Sequence, residues 1–349
     1  MPGPGSVLRQ RARAACPGGA PRTSQAFIIR APAPRPGRIH CPGSNVISQP
    51  SNSYAARVAH LLGAAGAGLM WSIARLLPPT AASRAGSALL GLLGPRLRKH
   101  QHICRNLRIV RPDATPAEIE RTARDVWRNL GAVLFEYPHL PEILAGTNSV
   151  SMPESVRGLF DTNTPVLFVT AHLANWEVLA SYVASRSRGL VVVYNPDENP
   201  YLERLIQWLR RTSGSEYVTK HEALRRLTPA YLQGRSIGML LDVRVDSGTS
   251  LPLFGHAAPT TISPFRMALR LGYPVVPVRA IRAGPARFEI EFCPPLEAPR
   301  DAQTSSAKAQ ATHMARQFNE LLETWIGQRP GEWLCTKRRW PKGTPSQED

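Results

Sequence analysis

In the segment Thr170-Ala-His172-Leu-Ala-Asn-Trp-Glu177 a histidine and a carboxylate stand five residues apart. Histidine is the side chain whose ordinary pKa lets it take and return a proton near neutrality. A nearby carboxylate can fix the imidazole tautomer and stabilise the imidazolium that forms. Such a pair suits deprotonation of a hydroxyl that then attacks an acyl thioester. At this spacing the two side chains do not share one face of a helix. They converge only if His172 lies in a turn and Glu177 in the first turn of the helix that follows. Taken alone, the spacing is equally that of a strand-end histidine capping a helix, with Glu177 placed favourably on the helix dipole.

Other residues carry weaker signals. Asp242 closes an apolar run and either orients a site, caps a helix or pairs with an arginine. Arg210 and Arg211 precede Ser213-Gly214 and are either ligand-facing cations or a solvated helix face. Lys337-Arg338-Arg339-Trp340 suits a lipid headgroup region or a plain solvated tail. The chain has no glycine-rich phosphate loop and no metal-ligand spacing, so neither a nucleotide nor a metal cofactor is expected. Its five cysteines are scattered, with no Cys-x-x-Cys pair, which speaks against a disulfide framework or a structural zinc site.

The elements that must position these residues read clearly. Pro165–His172, Gly189–Asn195, Ser236–Val243 and Tyr273–Ile281 are short continuous apolar runs, the pattern of strands buried on both faces. Helical stretches alternate with them at 175–186, 199–212, 221–233 and 263–271. The fold class is therefore α/β, with a mostly parallel central sheet flanked by helices. His172 then falls at the carboxyl end of a strand, where ligands collect in open α/β sheets. Residues 287–292 alternate and predict an edge strand. A last helix is expected over about 306–326.

The amino-terminal third differs in character. Sixteen of the 43 basic residues and none of the 25 acidic ones lie in residues 1–112, so the net charge of +18 is an amino-terminal feature. It implies an anionic surface, with membrane lipid favoured over nucleic acid because no nucleic-acid-binding signature accompanies it. Residues 1–53 are Pro-, Gly-, Arg- and Ser-rich and read as a disordered tail, with an organelle transit peptide as another reading of the same composition. Residues 58–74 form an apolar stretch that would span roughly 25 Å as a helix, against the roughly 30 Å of a bilayer core. The basic segment 54–112 is thus expected to be a membrane-associated helical segment, spanning or interfacial, or else a buried amphipathic helix. A domain over 113–340 and a tail over 341–349 complete the division.

Five ordered blocks between about Tyr54 and Trp340 resemble the bacterial lipid A late acyltransferases. They are His172-x4-Glu177; Tyr194-Asn-Pro-Asp-Glu-Asn199-Pro200; Gly248-x3-Pro252-Leu-Phe254-Gly255; Ala268-Leu-Arg270-Leu-Gly272-Tyr-Pro274-Val-Val-Pro277; and Trp325-Ile, Pro330, Trp333-Leu, Arg338-Arg339-Trp340. The resemblance implies an acyltransferase that moves a fatty acyl chain, lauroyl or myristoyl, from acyl carrier protein to a hydroxyl of a lipid A precursor. It implies work at the cytoplasmic face of the bacterial inner membrane, with no cofactor beyond the carrier-borne donor. His172 is the expected general base and Glu177 its partner. Two departures bear on the acceptor. The family usually has Arg where this chain has Asn195, and Asp-Gln where Asp242 is followed by Val243. Arg204, Arg210, Arg211 or Arg244 could replace the missing guanidinium. The alternatives are an acyltransferase for another glycolipid or aminolipid, such as a phosphatidylinositol mannoside, and a non-catalytic membrane lipid-binding relative.

Overall fold

The computed structural model describes residues 54–147, 149–298 and 306–345. The tail expected over 1–53 lies outside the described residues, as does the end of the tail expected over 341–349. In chain order the strands are β1 (Ser149–Ser151), β2 (Leu167–Thr170), β3 (Leu190–Tyr194), β4 (Ser215–Thr219), β5 (Ser236–Leu240), β6 (Thr249–Leu253), β7 (His256–Thr260), β8 (Val275–Gly284) and β9 (Arg287–Phe292). The helices are α1 (Tyr54–Leu76), α2 (Pro79–Leu93), α3 (His100–Val110), α4 (Pro116–Glu136), α5 (Leu140–Ala145), α6 (Glu154–Asp161), α7 (Trp176–Arg186), α8 (Pro200–Arg210), α9 (Ala223–Leu232), α10 (Ser263–Leu271) and α11 (Ala307–Gln328).

A seven-stranded sheet runs in the order β1-β9-β8-β2-β5-β3-β4, and β6 and β7 form a separate antiparallel hairpin. The four apolar runs become β2, β3, β5 and β8, all parallel where they pair. Their continuous apolarity has the anticipated cause. Leu167 and Val169 of β2 enter one core cluster while Phe168 enters the other, and Val191 of β3 is likewise separated from Leu190 and Val192. The segment 287–292 is a strand but not an edge. β9 pairs antiparallel with β8 on one side, and the three-residue β1 covers its other side. The second edge is β4, whose mixed sequence Ser-Glu-Tyr-Val-Thr gave no apolar signal.

The basic segment before residue 113 packs onto the sheet-bearing part. Ile103 and Leu107 of α3 share a core cluster with Phe318 and Leu322 of α11 and with Trp333. α2 and α4 cross with backbones touching: a side chain at Gly86 would meet the carbonyl of Gly131, and one at Gly131 would meet that of Gly86. α1 is docked by the indole N–H of Trp71 on the Leu134 carbonyl (2.7 Å) and by the Asn199 amide on the His60 carbonyl (2.8 Å). Its opposite face leaves Leu62, Leu69, Ile73 and Leu76 exposed. Among the described residues no helix is long and apolar enough to cross a membrane.

Candidate active site

The parallel register of β2 and β5 builds the centre. Thr170 pairs with Leu240, and the Leu241 amide continues the ladder onto the Thr170 carbonyl at 2.9 Å. Two residues further on, at the carboxyl ends of these neighbouring strands, His172 and Asp242 stand side by side. His172 Nδ1 and Asp242 Oδ1 are 2.8 Å apart. The other carboxylate oxygen accepts the Trp333 indole N–H at 2.9 Å. Asp242 is buried, whereas the His172 side chain keeps 28% exposure. An ionised carboxylate only accepts, so the proton of the neutral ring sits on Nδ1 and the Nε2 lone pair is open.

The charges support that arrangement. Burial alone would lower the His172 pKa, but the charge and hydrogen bond of Asp242 and the charge of Glu177 outweigh it and raise the value above 6.5, with Lys337 opposing. Burial would raise the Asp242 pKa. The His172 charge and the hydrogen bonds from His172 and Trp333 instead hold it below the usual carboxylate value.

Glu177 stands where its spacing places it, but its hydrogen-bond partners are not the expected one. It lies in the first turn of α7, with its backbone N–H capped by the Asn175 side chain (3.1 Å), and is buried. Its Oε1 accepts from Tyr137 (2.7 Å), the Trp176 indole (3.1 Å) and Arg210 Nη2 (2.6 Å). Its Oε2 accepts from Tyr217 (3.0 Å) and Arg210 Nε (3.3 Å). The expected His172–Glu177 hydrogen bond is not among these. Trp176 lies between the two, its ring edge-on to His172 with centroids 5.0 Å apart and its N–H on Glu177. Burial opposes the Glu177 charge, but Arg210 and the two tyrosine hydroxyls prevail and keep its pKa low.

The turn joining the two groups is held from beneath. Ala174 is buried with φ 47°, a left-handed conformation that costs a non-glycine residue energy and is retained here by its surroundings. Its N–H donates to the Glu332 carbonyl, and its own carbonyl accepts from Asn129 (3.1 Å each). The Asn175 amide donates to the buried Glu136 (2.8 Å), which is neutralised by Arg282. The carboxyl-terminal segment closes the other side: the Leu334 amide donates to the His172 carbonyl at 2.8 Å, and Leu173 bridges Trp333.

The remaining sequence candidates separate. Arg210 is committed to Glu177 and packs on the rings of Tyr217 (4.4 Å) and Tyr194 (5.4 Å), so it is not a free cation. Arg244 pairs with Asp246 at 2.5 Å and reaches the Trp340 carbonyl, while its Nε is buried without a partner. Arg211 is exposed just beyond α8, and Asn195 is exposed just beyond β3, on the same side of the sheet as His172. Arg339 and Trp340 are neither at a headgroup level nor solvated. Both are buried, with Arg339 holding Pro259 and Thr260 of β7 and Trp340 the Leu253 carbonyl of β6. Sequence reasoning missed Tyr137, Tyr217 and Trp333 as partners of the two carboxylates.

Among the described residues His100, Cys104 and Glu120 bring three possible metal-ligand atoms within 4.8 Å of one another. The Trp127 indole donates to His100 Nδ1 (3.1 Å), which puts the ring proton on Nε2, facing Glu120 at 2.9 Å. That tautomer makes His100 a hydrogen-bond bridge and leaves no Nε2 lone pair for a metal.

Comparison with curated proteins gives no match. Residues 52–342, most of the chain, match the family described as bacterial lipid A biosynthesis acyltransferase, and the chain belongs to that family.

Proposed function

We propose that this acyltransferase uses His172 Nε2 as general base to move a fatty acyl chain from acyl carrier protein to a hydroxyl of a lipid A precursor. The observation that carries this reading is the Asp242–His172 pair, which leaves the basic Nε2 of a partly exposed ring open at the carboxyl end of the parallel sheet. The acceptor hydroxyl gives its proton to Nε2 as its oxygen bonds to the thioester carbonyl carbon. Collapse of the tetrahedral intermediate breaks the carbon–sulfur bond, and the imidazolium returns the proton to the departing thiolate. Asp242 keeps the ring in the required tautomer and stabilises its charge, as the carboxylate does in serine-hydrolase triads. Glu177 acts at one remove: its charge favours the imidazolium, and its hydrogen bonds set Trp176 and the turn carrying His172.

The acidic carrier protein suits an enzyme whose surplus positive charge speeds encounter. The exposed apolar faces of α1 (Leu62, Leu69, Ile73, Leu76) and α2 (Leu89, Leu92, Leu93) suit an interfacial seat on the inner membrane's anionic cytoplasmic leaflet. One observation favours a second acceptor class: with Asn195 in place of Arg and Arg210 engaged by Glu177, a glycolipid bearing fewer phosphates fits the site. The test is thiol release from acyl carrier protein thioesters with purified acceptors. His172→Ala is expected to abolish transfer while the protein stays folded. Near-normal turnover of that variant would overturn the mechanism.

A further inference from the structure

A cavity of about 890 Å³ opens between α2, α4, the β8–β9 turn and the segment around Glu332. None of the side chains that touch the His172 ring or the Glu177 carboxylate lines it. Its size lies within the range of small-molecule sites. Its lining includes small and apolar groups: Ala88, Gly91 and Leu92 of α2, Ala132 of α4, Ala283 at the end of β8 and Pro285 of the turn.

The rim carries five arginines, Arg84, Arg124, Arg128, Arg282 and Arg329, against two acids, Asp125 and Glu332. Arg282 is spent on the buried Glu136. Arg128 and Arg329 pair with the two rim acids at 2.7 and 2.8 Å but keep about half of their side chains exposed. Arg124 reaches Glu120 only at 3.5 Å, and Arg84 is exposed with no ion pair among the described residues. The cavity is thus an apolar trough under a surplus of guanidinium groups, which bind phosphate by paired charge-assisted hydrogen bonds.

Leu92 fixes the side from which a ligand would arrive. It lines the cavity and also belongs, with Leu89 and Leu93, to the exposed apolar face of α2. A molecule entering along that face is itself amphiphilic.

We infer that the cavity binds an anionic phospholipid, its phosphate on Arg84, Arg124 and Arg128 and an acyl chain over Ala88, Leu92 and Pro285. The site is separate from the acyl-transfer centre. The inference rests on the proposed membrane seat only for the source of the lipid. Bound lipid would bear on the catalytic turn, because Asn129 and Glu332 of the cavity wall also hold Ala174.

The experiment uses the full chain and a short-chain phosphatidylglycerol carrying a diazirine on one acyl chain, with labelled peptides mapped by mass spectrometry. Labelling is expected in α2 and α4. It should fall about tenfold in Arg84→Glu and in the cavity-filling Ala88→Trp, both exposed positions, and persist in His172→Ala. Unlabelled dihexanoyl phosphatidylglycerol should compete, whereas dihexanoylglycerol and inorganic phosphate at the same concentration should not. Competition by inorganic phosphate alone would make this a simple anion site and overturn the inference. So would labelling confined to residues near His172, Asn195 or Arg244, or labelling unchanged in Ala88→Trp. Labelling reads the cavity directly, so a failure of acyl transfer counts against the proposed mechanism and not against lipid binding here.

Discussion

Trp333 donates its indole N–H to the Asp242 oxygen that His172 leaves free. A residue 91 positions away thereby fixes the Asp242 carboxylate in a single orientation, and the orientation of that carboxylate fixes the imidazole. The carboxyl-terminal Trp-Leu block thereby helps to hold the proposed base.

Asp242→Asn is expected to lower kcat/KM by about 10²–10⁴-fold, the usual scale for a positioned acid–base system. The pH profile distinguishes this from a folding defect. His172 acts as a base only when neutral, and Asp242 holds its pKa above 6.5, so activity should rise with pH through that raised value. In the asparagine variant the acid limb should move to lower pH. A limb that does not move would show that Asp242 does not set the ionisation of the base.

Trp333→Phe keeps an aromatic ring and deletes the donor, leaving a buried Asp242 oxygen unpaired. Hydrogen bonds to charged groups contribute roughly 1.5–3 kcal/mol, and a loss of that order is expected in urea unfolding at neutral pH. A midpoint equal to wild type would show that the indole contact contributes packing only.

Glu177→Gln is expected to act mainly through stability. It leaves Arg210 buried without its counter-charge, and breaking such a pair costs about 3–5 kcal/mol. Glu177→Gln combined with Arg210→Gln should recover part of the loss, which a double-mutant cycle measures. The pH dependence follows from the signs of the shifts. Glu177 and Asp242 have folded pKa values below their ordinary ones, so their stabilisation is present above those ordinary values and is lost as pH falls through the folded ones. His172 has the opposite sign: its contribution is full below 6.5 and is lost as pH rises through the raised value. Wild-type stability should therefore fall steeply on the acid side, and less steeply in the Glu177→Gln variant.

The strands that carry the site were legible because burial on both faces leaves no alternation to misread. β2, β3, β5 and β8 each appear as an unbroken apolar run. β4 and β1 were not, since edge strands need no continuous apolar face. His172 and Asp242 were each visible as strand-end residues, but their pairing depends on β5 lying directly beside β2. That neighbour relation is a property of strand order, which local pattern does not encode. Glu177 lies in the first helical turn as its spacing indicates, and only its partner differs, for the complementary reason. Proximity in sequence suggested a partner, whereas the capped start of α7 turns its carboxylate toward Tyr137, Arg210 and Tyr217. Arg339 and Trp340 read as a headgroup-level or solvated tail because a basic aromatic motif does not reveal that it locks a hairpin.

Membrane attachment should depend on the outer faces of α1 and α2. Leu62, Leu69, Ile73 and Leu76 recur at helical spacing on one side of α1. Replacing Leu62, Leu69 and Ile73 together by serine removes exposed apolar surface and no core, so the fold should persist. Binding to phosphatidylglycerol-containing vesicles, followed by sedimentation, should drop severalfold. High salt should release wild type only in part, because screening removes headgroup attraction and not apolar insertion. Complete release by salt would assign attachment to charge alone.

The acceptor is tested at position 195. The family usually presents an arginine there; this chain presents an exposed asparagine just beyond β3. Of the four arginines that could compensate, Arg210 is held by Glu177 and Arg244 by Asp246, which leaves Arg204 and Arg211 exposed and without an ion pair among the described residues. A charge-assisted contact contributes roughly 1.5–3 kcal/mol. Asn195→Arg is therefore expected to tighten binding of a phosphorylated lipid A precursor by about tenfold or more, and to leave binding of the dephosphorylated precursor unchanged. The measurement is acceptor dependence of the rate at saturating acyl donor, for wild type and variant. If Arg204 or Arg211 already fills the place, Asn195→Arg will do nothing or weaken binding through like-charge repulsion, and Arg204→Ala or Arg211→Ala will erase the discrimination for phosphate. That pair of results would refute the reading that this site is built for an acceptor with fewer phosphates.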